Sequence, residues 1–395
     1  MRFFLINALL LLAILVATAQ KKQQTLFGHN DAMLYGRYWS DSEEGSKDKK
    51  NGELKPDIYQ ICKAYPALFS TDIGRIEHGH LEYWAGVTFE QVRQAMIRHH
   101  KSGGLVTVSW HVRNPEHGLS YIYDEDYKGT VARILKREGR TYNTFMLYLS
   151  RVADFLLQVR DADGQLIPII FRPWHECNGN WFWWGTADCS SEEYVALWRL
   201  THDYLTTRGL VNLKYAFSPG SWFWSKEEYV QRFPGHEYVD IIGVECYRQK
   251  NTGIVEGRKL FYTNLRRNFR MAEEIADSLG LPYALTETGM QANSDAEWWT
   301  KGLMPALEGF SPMFVNFWSN QWIKLVPQGG TWCTFPGELS AKDFRKFYKK
   351  NKKMFVWGLS LLALFALWTL LVRFVDVRPI GPEGSSVGFA ALNGF

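Results

Sequence analysis

The chain has 395 residues, of which 46% are hydrophobic, and its 45 Lys and Arg against 41 Asp and Glu give a formal charge of +4. That length suits one large domain or two small ones with an ample core, and the small charge gives no reason to expect a nucleic-acid partner. The 17 tryptophans exceed the usual share of roughly one residue in seventy, which indicates either a surface that binds flat rings or a Trp-rich core.

The first twenty residues, MRFFLINALLLLAILVATAQ, carry an export pattern. One positive charge precedes a long apolar run, and Ala17-Thr18-Ala19 supplies the small residues typical of a cleavage site. We therefore predict a signal peptide over residues 1–19 and an exported protein that is periplasmic, cell-surface or secreted. An uncleaved anchor helix is the alternative, and the lack of a cysteine near the cleavage site argues against a lipoprotein.

Eight short apolar runs follow between residues 25 and 348, and stretches of helix length separate most of them. The predicted strands are Leu26–Gly28, Ala67–Thr71, Leu105–Trp110, Ile167–Phe171, Lys214–Ser218, Val239–Val244, Tyr283–Thr286 and Met313–Phe317. This alternation is typical of parallel βαβ units. We predict an α/β fold, a (β/α)8 TIM barrel over residues 20–348, whose active site lies at the carboxyl ends of the strands.

Four helical stretches support that alternation. Val87–Gln91 has the spacing of a capping box at the start of one helix, and Gly103-Gly104 ends it. Asn143–Arg160 repeats apolar residues at the helical period. Ser191–Arg208 and Arg258–Leu279 do the same, and each of these two stops just before a glycine.

Polar side chains gather where the predicted strands stop. They are His111 and Asn114 after the third strand, Arg172, His175 and Glu176 after the fourth, Glu245 and Tyr247 after the sixth, Glu287 after the seventh and Trp318 after the eighth. Two carboxylates on opposite strands suit acid/base and nucleophilic chemistry on a sugar. One must be protonated to assist the leaving oxygen, and the other must be ionised to attack the anomeric carbon.

The stretch FRPWHECNGNWFWWG, Phe171–Gly185, resembles the acid/base signature of glycoside hydrolase family 26, R-P-x-H-E-x-N/T-G-x-W-F-W-W-G. Leu285–Gly289 is similar to the nucleophile strand of that family, and further matches run from about Thr25 to Tyr348. The resemblance implies that Glu176 is the acid/base and Glu287 the nucleophile of a retaining double displacement.

The resemblance also implies which residues surround the sugar at the cleavage point. They are His111, Arg172, His175, Trp181 and Tyr247. Trp318, after the eighth strand, is the predicted floor beneath the reacting sugar. Position 245 usually holds aspartate in the family and holds glutamate here, so we expect Glu245 to contact substrate or to shift the nucleophile.

From this resemblance we predict an endo-acting β-1,4-mannanase, with β-mannan polysaccharide or oligosaccharide as its partner and no cofactor. The alternatives are the same chemistry on β-xylan or mixed-linkage β-glucan, exo-acting release of mannobiose, and a carbohydrate-binding barrel without catalysis. The sequence leaves the oligomeric state open.

No cysteine or histidine pattern predicts a metal site. The five cysteines, Cys62, Cys177, Cys189, Cys246 and Cys333, match no zinc or redox spacing, and buried free thiols are the default interpretation. His175-Glu176 lacks the second histidine of an H-E-x-x-H helix. His78-Gly79-His80 is more typical of surface histidines than of a metal site.

Residues 349–395 comprise a basic flank, an apolar segment and a polar tail. Residues 354–374, MFVWGLSLLALFALWTLLVRF, are long and apolar enough to span a bilayer. The lysines before them would hold that flank in the cytoplasm, which conflicts with an exported domain upstream. The segment begins with a methionine, and the tail weakly resembles the N-terminal region of a family of membrane phosphatases. We expect an appended anchor, with the membrane as a partner, or a fusion of two reading frames.

Overall fold

The computed structural model describes residues 24–43, 54–249 and 251–355. Eight parallel strands close into a barrel and follow one another around it in chain order, so the predicted fold is confirmed. The strands are β1 Leu26–Asn30, β2 Leu68–Asp72, β3 Leu105–Ser109, β4 Ile169–Arg172, β5 Leu213–Phe217, β6 Ile241–Arg248, β7 Tyr283–Met290 and β8 Phe314–Phe317. β1 closes the barrel by pairing with β2 through Gly28 and Leu68 and with β8 through Leu26 and Phe314.

Helices and short turns connect the strands on the outside of the barrel. The helices are α1 Asp57–Cys62, α2 Phe89–Lys101, α3 Thr130–Leu135, α4 Gly139–Leu156, α5 Ser191–Thr207, α6 Lys226–Val230, α7 Ile254–Leu279, α8 Met304–Leu307 and α9 Ala341–Lys350. The predicted capping box is present at α2, where the Gln91 N–H donates to Thr88 Oγ1 over 3.2 Å and the Thr88 N–H donates to Gln91 Oε1 over 2.9 Å.

Three predicted helix boundaries, both ends of α4 and the start of α7, are wrong by about one turn. α4 begins at Gly139 and ends at Leu156, before the predicted end at Arg160. Val159 is buried although it lies past the helix, and its burial extended the apolar period beyond the last helical residue. α7 begins four residues before the predicted start. The prediction missed its first turn because Ile254 and Val255 are exposed there and break the apolar period.

A two-stranded hairpin in the connection after β2 was not predicted. It pairs Glu82–Trp84 with Val87–Thr88, and its turn residues Ala85 and Gly86 both have positive φ. That backbone suits a tight hairpin turn, for which Asn-Gly is the usual sequence signal. Alanine in the first position hides the turn from sequence patterns.

A group of six aromatic rings, here called the wall cluster, packs outside β1 and β8. It consists of Phe27, Trp299, Phe317, Phe344, Phe347 and Phe355. Phe27 lies at its centre, with its ring stacked on Phe317 at 5.1 Å and on Phe355 at 4.5 Å between centroids. Met354 and Phe355 are buried, so the packed chain continues beyond the predicted domain limit at residue 348.

The predicted signal peptide and residues 356–374 of the predicted membrane segment lie outside the described residues. Within the described ranges, no helix combines the length and the apolar character that crossing a bilayer requires. The expected burial is confirmed for Cys177, Cys189, Cys246 and Cys333, whereas Cys62 is partly exposed.

Candidate active site

The segment that follows β4 presents Glu176 to the mouth of the barrel through an unusual backbone path. Trp174 and Glu176 both have φ of 52°, a left-handed conformation that side chains with a Cβ rarely adopt. The Glu176 N–H donates to the Ser218 carbonyl at the end of β5 over 2.8 Å, which ties the segment to the neighbouring strand. Strained backbone of this kind concentrates at functional sites, where the surrounding structure holds it in place.

The four tryptophans of this segment divide between the core and the cleft. Trp174, Trp183 and Trp184 are fully buried. Their indole N–H groups donate to Thr201 Oγ1, the Val112 carbonyl and the His175 carbonyl respectively, so each buried donor is satisfied. Trp181 is partly exposed, and its Nε1–H donates to Glu176 Oε2 over 2.8 Å.

A β-bulge brings two further carboxylates together. β6 and β7 pair Val244 with Leu285 and then Glu245 with Glu287, so Thr286 is an extra residue in β7. The register between β7 and β8 shifts at the same place. Bulges re-aim side chains near active sites, and this one sets Glu287 directly beside Glu245.

Arg172, at the end of β4, bridges those two carboxylates. Its Nη1 pairs with Glu245 Oε1 and its Nη2 with Glu287 Oε2, and all three side chains are buried. Tyr247 Oη also donates to Glu287 Oε1 over 2.5 Å. Glu287 is therefore held in place by two hydrogen-bond donors.

The environment of Glu176 favours its protonated form. Burial, together with the negative charge of Glu287, raises the pKa of Glu176 to about 7. The hydrogen bond from Trp181 lowers the pKa but does not outweigh these two causes. Near neutral pH a large fraction of Glu176 therefore carries a proton. The site holds one carboxyl suited to donate a proton and another suited to attack as an anion.

Glu245 is the third carboxyl of this group. Its Oε1 accepts a hydrogen bond from Ser218 Oγ over 2.8 Å in addition to the ion pair with Arg172. Burial raises the pKa of Glu245 well above its ordinary value; the Arg172 charge opposes the rise, and the charges of Glu287 and Glu176 add to it. Glu245 pairs with Arg172 from the strand next to that of Glu287, and this contact positions the guanidinium.

Two histidines line the site beside these carboxyls. His111 Nε2 lies 3.0 Å from His175 Nε2, and His111 Nδ1 lies 2.8 Å from Asp72 Oδ2. Burial disfavours a charge on His111, but the Asp72 carboxylate outweighs it and raises the pKa of His111. Burial and the positive charges of His111 and Arg172 lower the pKa of His175 well below its ordinary value, so His175 is neutral.

Trp318 and His111 line a cavity of about 210 Å³ on the β2 and β3 side of the site. The Trp318 ring lies 5.5 Å from the His111 ring between centroids. Other residues of this cavity include Asp31, Asp72, Arg75, Tyr83 and Trp84. The polar and aromatic lining suits a sugar ring, which presents both hydroxyl groups and apolar faces.

The structure thus brings together the sequence-predicted site residues His111, Arg172, His175, Glu176, Trp181, Glu245, Tyr247, Glu287 and Trp318 around one end of the barrel. Sequence reasoning missed Asp72 and Ser218. Asp72 ends β2 and accepts hydrogen bonds from Ser109 and His111, and Ser218 follows β5 directly. Both stand at strand ends, a position that would have marked them in a barrel.

Three side chains here offer donor atoms to a cation. His175, Glu245 and Glu287 place one such atom each within 4.8 Å of one another. The Arg172 guanidinium already pairs with both carboxylates, so it supplies the positive charge at this position.

His78 is partly exposed and His80 exposed, and their rings lie 5.9 Å apart.

Residues 11–297 match the family model described as glycosyl hydrolase family 26. A solved structure titled as a GH26 beta-mannanase from Bacteroides ovatus is similar to the chain, with a TM-score of 0.75 and 35% sequence identity. That similarity covers 85% of this chain and 91% of the Bacteroides ovatus chain.

Two curated relatives are both named mannan endo-1,4-beta-mannosidase. The protein from Bifidobacterium adolescentis is 32% identical over 82% of this chain, and the one from Bacillus subtilis is 28% identical over 69% of it. The matched region spans 33% of the length of the first relative and 73% of the second.

Proposed function

Because the chain belongs to glycosyl hydrolase family 26, we propose that it is an endo-acting β-1,4-mannanase that hydrolyses mannan with retention of anomeric configuration. The observation that carries this proposal is the contrast between Glu176 and Glu287. Glu176 has a pKa raised to about 7, whereas Glu287 accepts hydrogen bonds from Arg172 and Tyr247. The contrast supplies an acid and a nucleophile in one cleft.

In the first step, Glu287 attacks the anomeric carbon while Glu176 donates its proton to the leaving oxygen. The sugar becomes covalently bound to Glu287, and the leaving chain departs as an alcohol. Loss of the Glu287 charge removes one cause of the raised pKa of Glu176, which lowers that pKa. Glu176 is then an anion, ready to act as a base.

In the second step, Glu176 removes a proton from water, and the oxygen of that water attacks the anomeric carbon. The bond to Glu287 breaks, the carboxylate is restored between Arg172 and Tyr247, and Glu176 is again protonated. Retaining enzymes place the two carboxyl groups about 5–5.5 Å apart. We expect that separation between Glu176 and Glu287.

Mannan is proposed as the substrate because both curated relatives are named for cleaving it. The pattern of the first 19 residues supports export, so we propose that the protein acts outside the cytoplasm, where polysaccharide is available. A binding barrel without catalysis would have no use for a carboxyl poised to donate a proton beside a second carboxyl held by Arg172 and Tyr247.

The product profile on linear β-mannan tests the proposal. Incubation of residues 20–355 with mannan, and with β-xylan and mixed-linkage β-glucan in parallel, should release manno-oligosaccharides of mixed length only from mannan. Mannobiose alone from the earliest time points would replace endo by exo action. Release from xylan or glucan instead of mannan would overturn the substrate, and binding without products would overturn catalysis.

A further inference from the structure

The loop that connects β5 to α6 exposes two tryptophans, and one of them, Trp222, packs on Trp181 beside the predicted acid/base Glu176. Trp222 and Trp224 are 47% and 63% exposed, although indole is among the side chains that gain most from burial. Contiguous exposed apolar surface that continues from a cleft is typical of a binding surface, whereas a single exposed ring is not. The proposed chemistry assigns no role to either ring.

The Trp222 ring is continuous with the catalytic group. It packs edge to face on Trp181, with 5.0 Å between ring centroids and an interplanar angle of 70°. Trp181 in turn donates to Glu176 Oε2 over 2.8 Å. Aromatic surface therefore runs without a break from the proton donor to Trp222.

Hydrogen bonds from two elements hold the backbone under Trp222. Asn178 Nδ2 donates to the carbonyls of Gly220 and Trp222, and Asn178 Oδ1 accepts from the Gly220 N–H over 2.8 Å. Arg267 and Asn268 of α7 both donate to the Ser221 carbonyl. A ring on a fixed backbone loses little entropy when a ligand stacks on it.

Gly220 makes room for the ring. A Cβ added at this position would lie 2.6 Å from the Trp222 ring, closer than any real contact allows. The loop thus combines a fixed backbone, a glycine beneath the ring and an open ring face.

The position of Glu176 decides which part of a polymer would meet this surface. The acid protonates the oxygen of the leaving chain, so sugars beyond the cleaved bond lie on the side of Glu176. The cavity lined by Asp72 and Trp318 lies on the β2 side instead. We propose that Trp222 is a platform on which a sugar of the leaving chain stacks. This inference rests on the proposed hydrolase function.

Trp224 provides a matched control in the same loop. It is more exposed than Trp222, but the Arg267 guanidinium lies 5.2 Å from its ring centroid and covers one face. Its described contacts do not include Trp181 or Glu176. A general effect of lost aromatic surface should appear equally at Trp222 and Trp224.

The test compares a substrate that has sugars on the leaving side of the cleaved bond with one that has none there. Mannohexaose places sugars on both sides of the cleaved bond, whereas β-mannobiosyl fluoride has a single fluorine atom on the leaving side. For Trp222→Ala, kcat/KM should fall roughly tenfold on mannohexaose and stay within about twofold on the fluoride. Trp222→Phe should recover part of the loss, and Trp224→Ala should resemble the wild type on both substrates.

Equal losses on both substrates, or an equal loss in Trp222→Ala and Trp224→Ala, would overturn the proposal, as would no loss at all. The proposed substrate can fail separately, because a wild type that ignores mannan but cleaves another β-glycan allows the same comparison with that glycan and its glycosyl fluoride. A wild type that cleaves no glycan overturns both proposals, because a leaving-chain platform requires cleavage.

Discussion

The barrel wall separates two densely packed regions. One is the set of carboxyl side chains around Arg172 inside the mouth of the barrel, and the other is the wall cluster around Phe27 outside β1 and β8. The first buries an arginine and two carboxyl groups, and Trp174 and Glu176 beside it adopt left-handed backbone, both of which oppose folding. The second buries six aromatic rings in mutual contact, which stabilises the fold. Residues for chemistry and residues for stability thus occupy different places, and substitutions should separate the two properties.

Glu287→Ala should have the largest effect on activity and a small effect on stability. Removal of the nucleophile is expected to lower kcat on the order of 10⁴-fold or more, while Arg172 retains its pairing with Glu245. Azide, which fits the vacated space, should restore turnover by attacking the anomeric carbon as the leaving chain departs, so that a glycosyl azide is the product. Turnover measurements with and without azide, together with the melting temperature, check this, and exposed Glu227→Ala is the control. Full activity of Glu287→Ala would contradict the assignment.

Glu176→Ala should lower kcat/KM on mannan by roughly 10²- to 10⁴-fold and spare substrates with activated leaving groups, which need little proton assistance. The pH profile gives a second test. Because the acid must be protonated and the pKa of Glu176 is about 7, kcat/KM of the wild type should decline as the pH rises through about 7. Persistence of that decline in Glu176→Ala would assign it to another group.

Glu245→Asp should have a moderate effect on activity alone. The shorter side chain would withdraw from Arg172 and Ser218, so the guanidinium would no longer hold Glu287 in place. A displacement of this size is expected to lower kcat about tenfold or more with little change in melting temperature. Steady-state kinetics on mannan measure this, and an unchanged kcat would show that the length of the side chain at position 245 is immaterial.

Phe355→Ala should have the smallest effect on kcat and the largest on stability. Loss of a ring stacked on Phe27 is expected to reduce the free energy of unfolding by about 3 kcal/mol, while kcat of the folded enzyme stays unchanged. Denaturant unfolding measures the first and turnover at 25 °C the second. Exposed Leu339→Ala is the control, and a chain ended after residue 348 should lose at least as much stability. A reduced kcat of Phe355→Ala with normal stability would contradict this separation and show that the wall cluster affects the active site.

The barrel and most of the site follow from the sequence because both depend on local patterns. Eight apolar runs separated by helix-length intervals identify the strands, and polar residues at their ends identify His111, Arg172 and Glu176. The first turn of α7 escapes because its apolar residues Ile254 and Val255 are exposed, and the hairpin turn escapes because alanine precedes Gly86 where asparagine is the usual signal.

What the sequence could not provide is the contacts between strands distant in the chain. The bridge from Arg172 to Glu245 and Glu287 joins three strands, and no spacing along the chain encodes it. The same holds for Phe355, whose burial against Phe27 depends on the path of the chain around the barrel. An apolar residue at the end of a domain and one at the start of a membrane segment have the same local appearance.

The bulge at Thr286 has a consequence for anyone who wishes to transplant this chemistry into a designed barrel. In a regular strand, neighbouring side chains point to opposite faces, and a one-residue slip exchanges them. The Thr286 hydroxyl contacts Ser218 inside the barrel, and Glu287 still reaches Arg172 because of the extra residue. A graft of LTETG onto an ideal strand would direct one of these side chains into the helical layer. A donor sequence must therefore be transferred together with its irregular register.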